Sequence, residues 1–211
     1  MSYSTNFIGS FKTDKEIKKS LRKAINALYN CGGEGDNIKS EEKGRSDALY
    51  VKVGRRKVSV PSGWCPWIVI HADDVQEYFK TLEEEGEEDC EFLYGEDADE
   101  DSFSSSDGTE LEGHPDLFMF NHNDYYGEWL ITILKEFLVP NGYVVNGIVE
   151  WQGESDGDHG VFELENNVLH ITQPEDERHV QKDLDEAAKA YNAWFAKQDC
   201  GDKKSKSKAK A

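Results

Sequence analysis

Hydrophobic positions between residues 123 and 172 follow two different periods along the chain. From Tyr126 to Phe137, apolar side chains recur every three or four residues with charged side chains opposite them, which predicts an amphipathic helix with one buried face. Residues 139–142 end this helix, because they include a proline, which cannot continue it, and a glycine, which accepts a left-handed backbone. After them the period changes to two, which is typical of strands. We therefore expect a helix that lies on a sheet.

Three antiparallel strands are expected after this helix. In the first, residues 143–151, apolar side chains alternate with mostly polar ones, so one face is buried and the other is in contact with water. The next two strands, residues 161–165 and 168–172, are separated by Asn166 and Asn167. Asparagine tolerates the positive φ angles of a two-residue turn, so this pair predicts a tight hairpin.

The remaining pattern predicts further strands and helices on both sides of this segment. Strands are expected at residues 7–11, 48–53, 57–60 and 64–70, and helices at about residues 73–82 and 176–198. Thr13 and Glu16 match a capping box, which predicts a helix that starts there and ends near the glycines at 32 and 33. Its outer face is basic and is expected to be solvated, with contact to a partner or to phosphate as the alternative: Lys15, Lys18, Lys19, Arg22 and Lys23.

These elements predict an α+β fold in which helices pack on one face of an antiparallel sheet. We expect a single domain over residues 1–200. Within it, residues 84–110 are acidic and rich in serine, which predicts a disordered insertion, and residues 201–211 predict a disordered basic tail. A mean hydropathy of -0.75 indicates that part of the chain is solvated rather than packed.

Charge is distributed very unevenly along the 211 residues. The formal net charge is -19, and residues 83–112 alone contain fifteen acidic and no basic side chains, whereas residues 1–57 contain thirteen basic and seven acidic ones. An acidic segment attracts basic protein surfaces and repels phosphates. We therefore expect a basic protein partner and no binding of duplex DNA by the globular part.

Cysteine spacing and the lack of targeting signals indicate the compartment. Cys31, Cys65, Cys90 and Cys200 form no Cys-x-x-Cys pair, so neither a zinc ribbon nor a redox pair is expected. The first residues lack the basic and apolar regions of a secretory signal, and no apolar run approaches the roughly twenty residues that span a bilayer. We expect a cytoplasmic protein with reduced thiols and no membrane contact.

The polar loop after residue 152 has the highest density of possible ligands. Its candidate metal ligands are Glu154, Asp156, Asp158 and His159. Carboxylate and imidazole groups bind divalent cations, and a bound cation activates water, so the loop supports a small metal-assisted hydrolase in which His114 or His122 adds a ligand. The same residues also serve as turn formers, because Asp and Gly supply the backbone states of a loop. No arrangement of nucleophile and base indicates other catalysis, and no other cofactor is expected.

Several short motifs are spread over about half of the chain. They are Tyr-Ser-Thr-Asn-Phe-Ile-Gly-Ser-Phe at residues 3–11, Trp-Cys-Pro-Trp at 64–67, Asp-Gly-Thr at 107–109 and Tyr-Gly-Glu-Trp-Leu at 126–130. A C-terminal motif follows, with Gly-Tyr-Val-Val-Asn-Gly-Ile-Val-Glu-Trp-Gln-Gly-Glu at 142–154 and then Asp158, Gly160 and Asn167-Val168. Together they resemble a family of uncharacterised small proteins of bacteria and their phages. The acidic insertion, the last helix and the basic tail depart from that family. The resemblance implies a fold and a phage or mobile-element link, and it implies no activity.

These observations favour a non-enzymatic binding or accessory protein over an enzyme. The expected mode of action is contact between an acidic surface and a basic protein partner. The metal-assisted hydrolase of the 154–159 loop is the alternative, and the oligomeric state is left open by the sequence.

Overall fold

The computed structural model describes residues 5–29, 49–53, 56–61, 65–85, 106–113, 126–154, 158–173 and 181–208. Within these residues the strands are β1 (Thr5–Thr13), β2 (Leu49–Val53), β3 (Arg56–Val60), β4 (Trp67–His71), β5 (Asp107–Gly113), β6 (Val145–Gly153), β7 (His159–Glu165) and β8 (Val168–Thr172). The helices are α1 (Lys19–Tyr29), α2 (Ala72–Glu85), α3 (Tyr126–Ile133) and α4 (Gln181–Lys208).

Six of the strands form one antiparallel sheet in the order β4-β5-β1-β6-β7-β8, while β2 and β3 form a separate hairpin. Helices α1, α3 and α4 contribute to one continuous core on a single face of the large sheet, so the predicted α+β fold is confirmed. The three-stranded meander β6-β7-β8 and the hairpin β2-β3 lie where the sequence predicts them.

The core is formed where α3 lies on the sheet. Trp129, Leu130 and Ile133 of this helix are fully buried, as are Val149 of β6 and Phe162 of β7. Complete burial of one such side chain stabilises the fold by roughly 1.5–3 kcal/mol relative to exposure, so this contact is a major source of stability. The predicted packing of the central helix on the following sheet is confirmed.

The chain leaves α3 through a wide turn and then a tight one. Leu134–Leu138 form a π-helical turn and Val139–Asn141 form a 3-10 turn. Gly142 then adopts φ of 75°, the left-handed conformation that ends helices. The amide of Asn141 donates a hydrogen bond of 2.6 Å to the carbonyl oxygen of Phe137. The predicted stop at residues 139–142 is therefore confirmed.

The turn between β7 and β8 has the predicted conformation. Asn166 and Asn167 have φ of 50° and 68°, as a two-residue hairpin with positive φ requires. Asn167 is also buried, and its side chain accepts a hydrogen bond from the backbone N–H of Val145 (2.7 Å) and donates one to the carbonyl oxygen of Tyr143 (3.0 Å). One asparagine thus forms the turn and fixes the start of β6.

Strand β5 overlaps a segment, residues 84–110, that the sequence predicts to be a disordered insertion. Residues 86–105 lie outside the described residues, but Asp107–Gly113 is an inner strand paired with both β4 and β1. Its acidic composition disfavours a strand, but pairing on both sides and the complete burial of Leu111 outweigh this intrinsic preference. The prediction is wrong for residues 107–110.

The predicted capping box at Thr13 and Glu16 is also wrong. Thr13 belongs to β1, and its single hydroxyl hydrogen is shared between the carbonyl oxygens of Lys15 (2.8 Å) and Thr109 (2.9 Å), while α1 begins at Lys19. The hydroxyl joins the end of β1 to β5 instead of starting a helix.

Both outer strands of the large sheet are closed by an asparagine side chain. On β4, the amide of Asn26 accepts from the Val69 N–H (2.9 Å) and donates to its carbonyl oxygen (2.8 Å). On β8, Asn192 of α4 makes the same pair of bonds with Leu169, at 2.9 and 2.7 Å. Each amide therefore occupies backbone groups that an added strand would use.

Helix α4 packs on the sheet with its N-terminal part. Leu184, Ala188 and Tyr191 are buried, and burial raises the pKa of the Tyr191 phenol, whose hydroxyl donates to the carbonyl oxygen of Asn167 at 2.8 Å. The helix continues to Lys208, into residues that the sequence analysis assigns to a disordered tail. Four of residues 201–208 are lysines, which have favourable helix propensity.

Candidate functional site

Among the described residues, helices α1, α3 and α4 pack on one face of the large sheet, and side chains on the opposite face are exposed. Along β1 and β6, the residues that point away from the core are mostly exposed, among them Ile8, Lys12, Ile148 and Glu150. At the β4 end of this face, Ile68 and Ile70 are buried. The open face therefore consists of the outward residues of β5, β1, β6, β7 and β8, and we use that name for them below.

Two large apolar side chains on the open face are in contact with solvent. Ile8 is 65% exposed and Ile148 is 52% exposed. In the register of β1 and β6, Ile8 lies opposite Glu150 and Ile148 lies opposite Ser10, so the two isoleucines are diagonal neighbours. Val161 of β7, which is half-buried, is the next diagonal neighbour. Diagonal neighbours are about 7–8 Å apart, so the three side chains form one apolar strip across three strands.

Glutamates are among the direct neighbours of these apolar side chains. Glu150 lies opposite both Ile8 and Val161, and Glu163 lies opposite Ile148. Among the described residues of the open face, the carboxylates are Glu110, Glu112, Glu150, Glu163 and Glu165, and the lysine is Lys12. The open face is thus acidic with an apolar centre, and it includes the end of the acidic segment 83–112, in β5.

Two of these glutamates, Glu110 and Glu112, interact directly, and their pKa values are shifted in opposite directions. The ammonium of Lys12 lies 2.5 Å from Glu110 and holds the pKa of that carboxyl below its usual value. Burial raises the pKa of Glu112, and a hydrogen bond with Glu110 acts in the same direction. The hydroxyl of Ser10 is 3.5 Å from Glu110. Glu110 is therefore the member of the pair that carries its charge more readily.

Three of the four predicted metal ligands lie in the part of the chain that the structure describes. Glu154 and His159 are exposed, Asp158 points towards the core, and Asp156 lies outside the described residues, as do His114 and His122. In the part of the chain that the structure describes, no three His, Cys, Asp or Glu side chains are grouped to hold a metal ion. The metal site at Glu154, Asp156, Asp158 and His159 stays a prediction, which metal analysis of the purified protein tests.

Asp158 has a clear packing role. Its carboxylate accepts hydrogen bonds from the Tyr126 hydroxyl (3.2 Å) and from the Trp151 indole N–H (3.3 Å). The Trp151 ring lies over Gly160, where an added Cβ would be 2.2 Å from the ring. Only glycine allows this approach, so the Trp, Asp and Gly positions of the C-terminal motif are explained by packing of the aromatic cluster.

The buried cation Arg22 is a residue that the sequence analysis places wrongly. The pattern assigns it to a solvated basic face, but its side chain is 2% exposed and donates to Asp74 (2.6 Å) and Glu16 (2.7 Å). Burial lowers the pKa of Arg22, but these hydrogen bonds outweigh burial and raise it, so the guanidinium stays charged. Position 22 lies one turn before Ile25, on the border of the apolar stripe of α1. This spacing was the one feature of the sequence that indicated burial of Arg22. Its partners on other elements could not be predicted.

Two further predictions concern the cysteines and the lysines of α1. Cys65 is a buried thiol whose sulfur lies 3.6 Å from the carbonyl oxygen of Trp67, while Cys31 and Cys90 lie outside the described residues. Lys19 and Lys23 are exposed as predicted, and both contact Glu77 of α2. These two lysines of α1 are therefore exposed to solvent and also form ion pairs with α2.

Comparison of the chain with protein-family models, with curated proteins and with solved structures finds no match. The resemblance to a bacterial and phage family stays a prediction. Among the described helices, none is long and apolar enough to cross a membrane.

Proposed function

We propose that this protein is a non-enzymatic binding protein that holds a basic protein partner on the open face of its six-stranded sheet. The observation that supports this proposal is the apolar strip of Ile8, Ile148 and Val161, which lies next to Glu112, Glu150 and Glu163 on the same face. Single exposed apolar residues are common on protein surfaces. Here, however, they are neighbours on adjacent inner strands, where the solvated face of an antiparallel sheet is expected to be polar.

The two kinds of side chain have different effects on binding. Burial of the isoleucines against a partner stabilises the complex by roughly 25 cal/mol for each Å² of apolar surface removed from water. The glutamates raise the association rate with a cationic surface and disfavour anionic competitors. The net charge of -19 acts in the same direction at longer range. The complementary partner surface is therefore cationic with exposed apolar side chains.

The arrangement of ionisable groups supports binding rather than catalysis. The outward carboxylates are distributed over β5, β6 and β7, and Glu110, which is nearest to another carboxylate, is paired with Lys12. A general acid and base that act on one substrate must reach the same few atoms. Residues spread over three strands suit contact with an extended partner surface.

Site-specific photo-crosslinking tests this proposal. A photoreactive residue replaces Ile148 in one variant and the exposed Lys189 of α4 in a control variant, and both are irradiated in extract of the source cells. We expect a basic protein to be crosslinked at position 148 and not at position 189. This product should disappear with Glu150→Lys/Glu163→Lys and persist with Asp185→Lys/Glu186→Lys, which changes the net charge equally. Identical products from both positions, or a product unaffected by charge reversal on the open face, would contradict the proposal.

A further inference from the structure

We infer that the part of the partner seated on the open face is an amphipathic helix whose apolar stripe is flanked by lysine or arginine side chains. This inference rests on the proposed function and specifies the partner's chemistry. Three structural features carry it: the paired backbone beneath the open face, the closed sheet edges, and the dimensions of the apolar strip.

The backbone beneath the open face is already paired. Ile148 lies on β6, which is bonded to β1 on one side and to β7 on the other, and Val161 lies on β7, which is bonded to β6 and β8. This part of the sheet therefore presents side chains to a partner. A segment that packs on it loses water from its own N–H and C=O groups, and each such group left unpaired weakens binding. A helix avoids that cost because it pairs these groups internally.

The edges of the sheet are closed to strand addition at their centres. A peptide that extends a sheet needs free backbone N–H and C=O groups on an outer strand. At Val69 of β4 these groups are bonded to Asn26, and at Leu169 of β8 they are bonded to Asn192. A strand-forming partner would have to displace one of these side chains first. The structure thus disfavours the main alternative mode of binding.

The apolar strip matches one face of a short helix. Ile8, Ile148 and Val161 lie on three successive strands, which are about 4.8 Å apart, so the strip is about 10 Å long. Helix positions i and i+7 are also about 10 Å apart along the axis, with i+3 or i+4 between them. Glu163 and Glu112 lie in the same cross-strand row as Ile148, and Glu150 lies in the other row, between Ile8 and Val161. Cationic residues on both flanks of a helical apolar stripe would face these carboxylates.

A second copy of the same open face does not fit this surface. It would bring two sets of glutamates together, and like charges in direct contact oppose association. The proposed occupant is therefore a cationic helix of another protein.

Three synthetic peptides of identical Leu and Lys composition test the inference on the full-length chain. In the first, leucines follow a helical spacing; in the second, leucine and lysine alternate as in a strand; the third is scrambled. We expect the helical-pattern peptide to bind at least about tenfold more tightly than the alternating one, a difference of about 1.4 kcal/mol. Circular dichroism should show that it gains helicity on binding. Binding is measured by titration calorimetry at two salt concentrations.

Matched variants locate the binding. Ile8→Thr/Ile148→Thr keeps β-branched residues on the strands, so the fold should be maintained while affinity falls about tenfold or more. Glu150→Gln/Glu163→Gln should weaken binding and reduce its salt dependence, whereas Asp185→Gln/Glu186→Gln on α4 should change neither. Thermal unfolding of each variant confirms that it is folded.

The outcomes separate this inference from the proposed function. Equal or tighter binding of the alternating peptide, still sensitive to the open-face variants, would overturn the helix and leave the basic partner in place. Failure of all three cationic peptides to bind would overturn both. Binding that is unaffected by the isoleucine and glutamate variants would also overturn both, because the contact would then lie elsewhere.

Discussion

The side-chain amide of Asn192 bonds to both backbone groups of Leu169, accepting from the N–H at 2.9 Å and donating to the carbonyl oxygen at 2.7 Å. Asn26 makes the equivalent pair of bonds with Val69 at the other end of the sheet. An amide side chain presents one acceptor and one donor, as the backbone of a neighbouring strand does. Two helices thus complete the outer strands of the sheet without adding a strand.

Removing this amide should destabilise the protein and open the sheet edge. Asn192→Ala removes the partners of the Leu169 N–H and C=O groups, and we expect a loss of about 2 kcal/mol in the free energy of unfolding. Asn192→Asp retains an acceptor for the N–H but turns a carboxylate towards the carbonyl oxygen, so it should also destabilise. Urea unfolding measures both changes, and light scattering should detect association at high concentration. Lys189→Ala, at an exposed position on the same helix, is the control. Unchanged stability of both Asn192 variants would show that water replaces the amide.

Two buried tryptophans should respond differently to the same substitution. The Trp67 indole N–H donates to the carbonyl oxygen of Tyr126 at 2.8 Å, whereas the Trp129 N–H is buried without a hydrogen-bond partner. Trp67→Phe loses a hydrogen bond, but Trp129→Phe removes a donor that is already unsatisfied. We expect the Trp129 variant to be the more stable of the two by about 1–3 kcal/mol, measured by urea unfolding. The reverse order would show that ring packing outweighs the hydrogen bond.

The Glu110 and Glu112 pair should give opposite pH effects. Burial raises the pKa of Glu112 in the folded state, so the native state binds the proton more tightly than the unfolded state does. Its favourable contribution is present at low pH and is lost as pH rises through the folded pKa. Glu112→Gln should therefore raise stability at pH 7 and have less effect at acid pH.

Glu110→Gln is the matched control for that substitution. Lys12 lowers the pKa of Glu110, so its contribution is present above the unfolded pKa and is lost as pH falls through the folded pKa. This variant should be less stable than the wild type at pH 7, with the difference disappearing in acid. Thermal unfolding across pH measures both variants, and shifts of equal sign at pH 7 would contradict the assignment.

The Arg22 cluster should be essential for the packing of α1 on α2. Arg22→Met removes the cation that bonds to Asp74, whose side chain is only 12% exposed, and leaves that carboxylate without its main partner. We expect a loss of about 3 kcal/mol in unfolding free energy. Arg22→Met/Asp74→Asn should recover part of this loss, because the unpaired charge is then absent. The neighbouring Lys23→Met, at an exposed pair with Glu77, should change stability little. Equal effects at positions 22 and 23 would show that burial of the ion pair is unimportant.

Local patterns were sufficient for the elements whose two faces differ strongly. The helical spacing from Tyr126 to Phe137 and the alternation around Val149 each determined which side is buried, and the Asn166-Asn167 pair determined its turn, because side-chain period and positive φ are properties of a few consecutive residues. Burial of Trp129 and Trp151 followed from the same patterns.

Only the tertiary structure decided the properties that depend on partners distant in sequence. Strand β5 exists because β4 and β1 pair with it on both sides, although its own composition is acidic. Arg22 is buried because Asp74, 52 residues away, supplies its counter-charge. The candidate site depends on the same kind of information, since Ile8 and Ile148 become neighbours only when β1 and β6 pair. The pairing of segments that are distant in sequence depends on the energy of the whole sheet. A local period of two or 3.6 residues therefore does not predict which strands become neighbours.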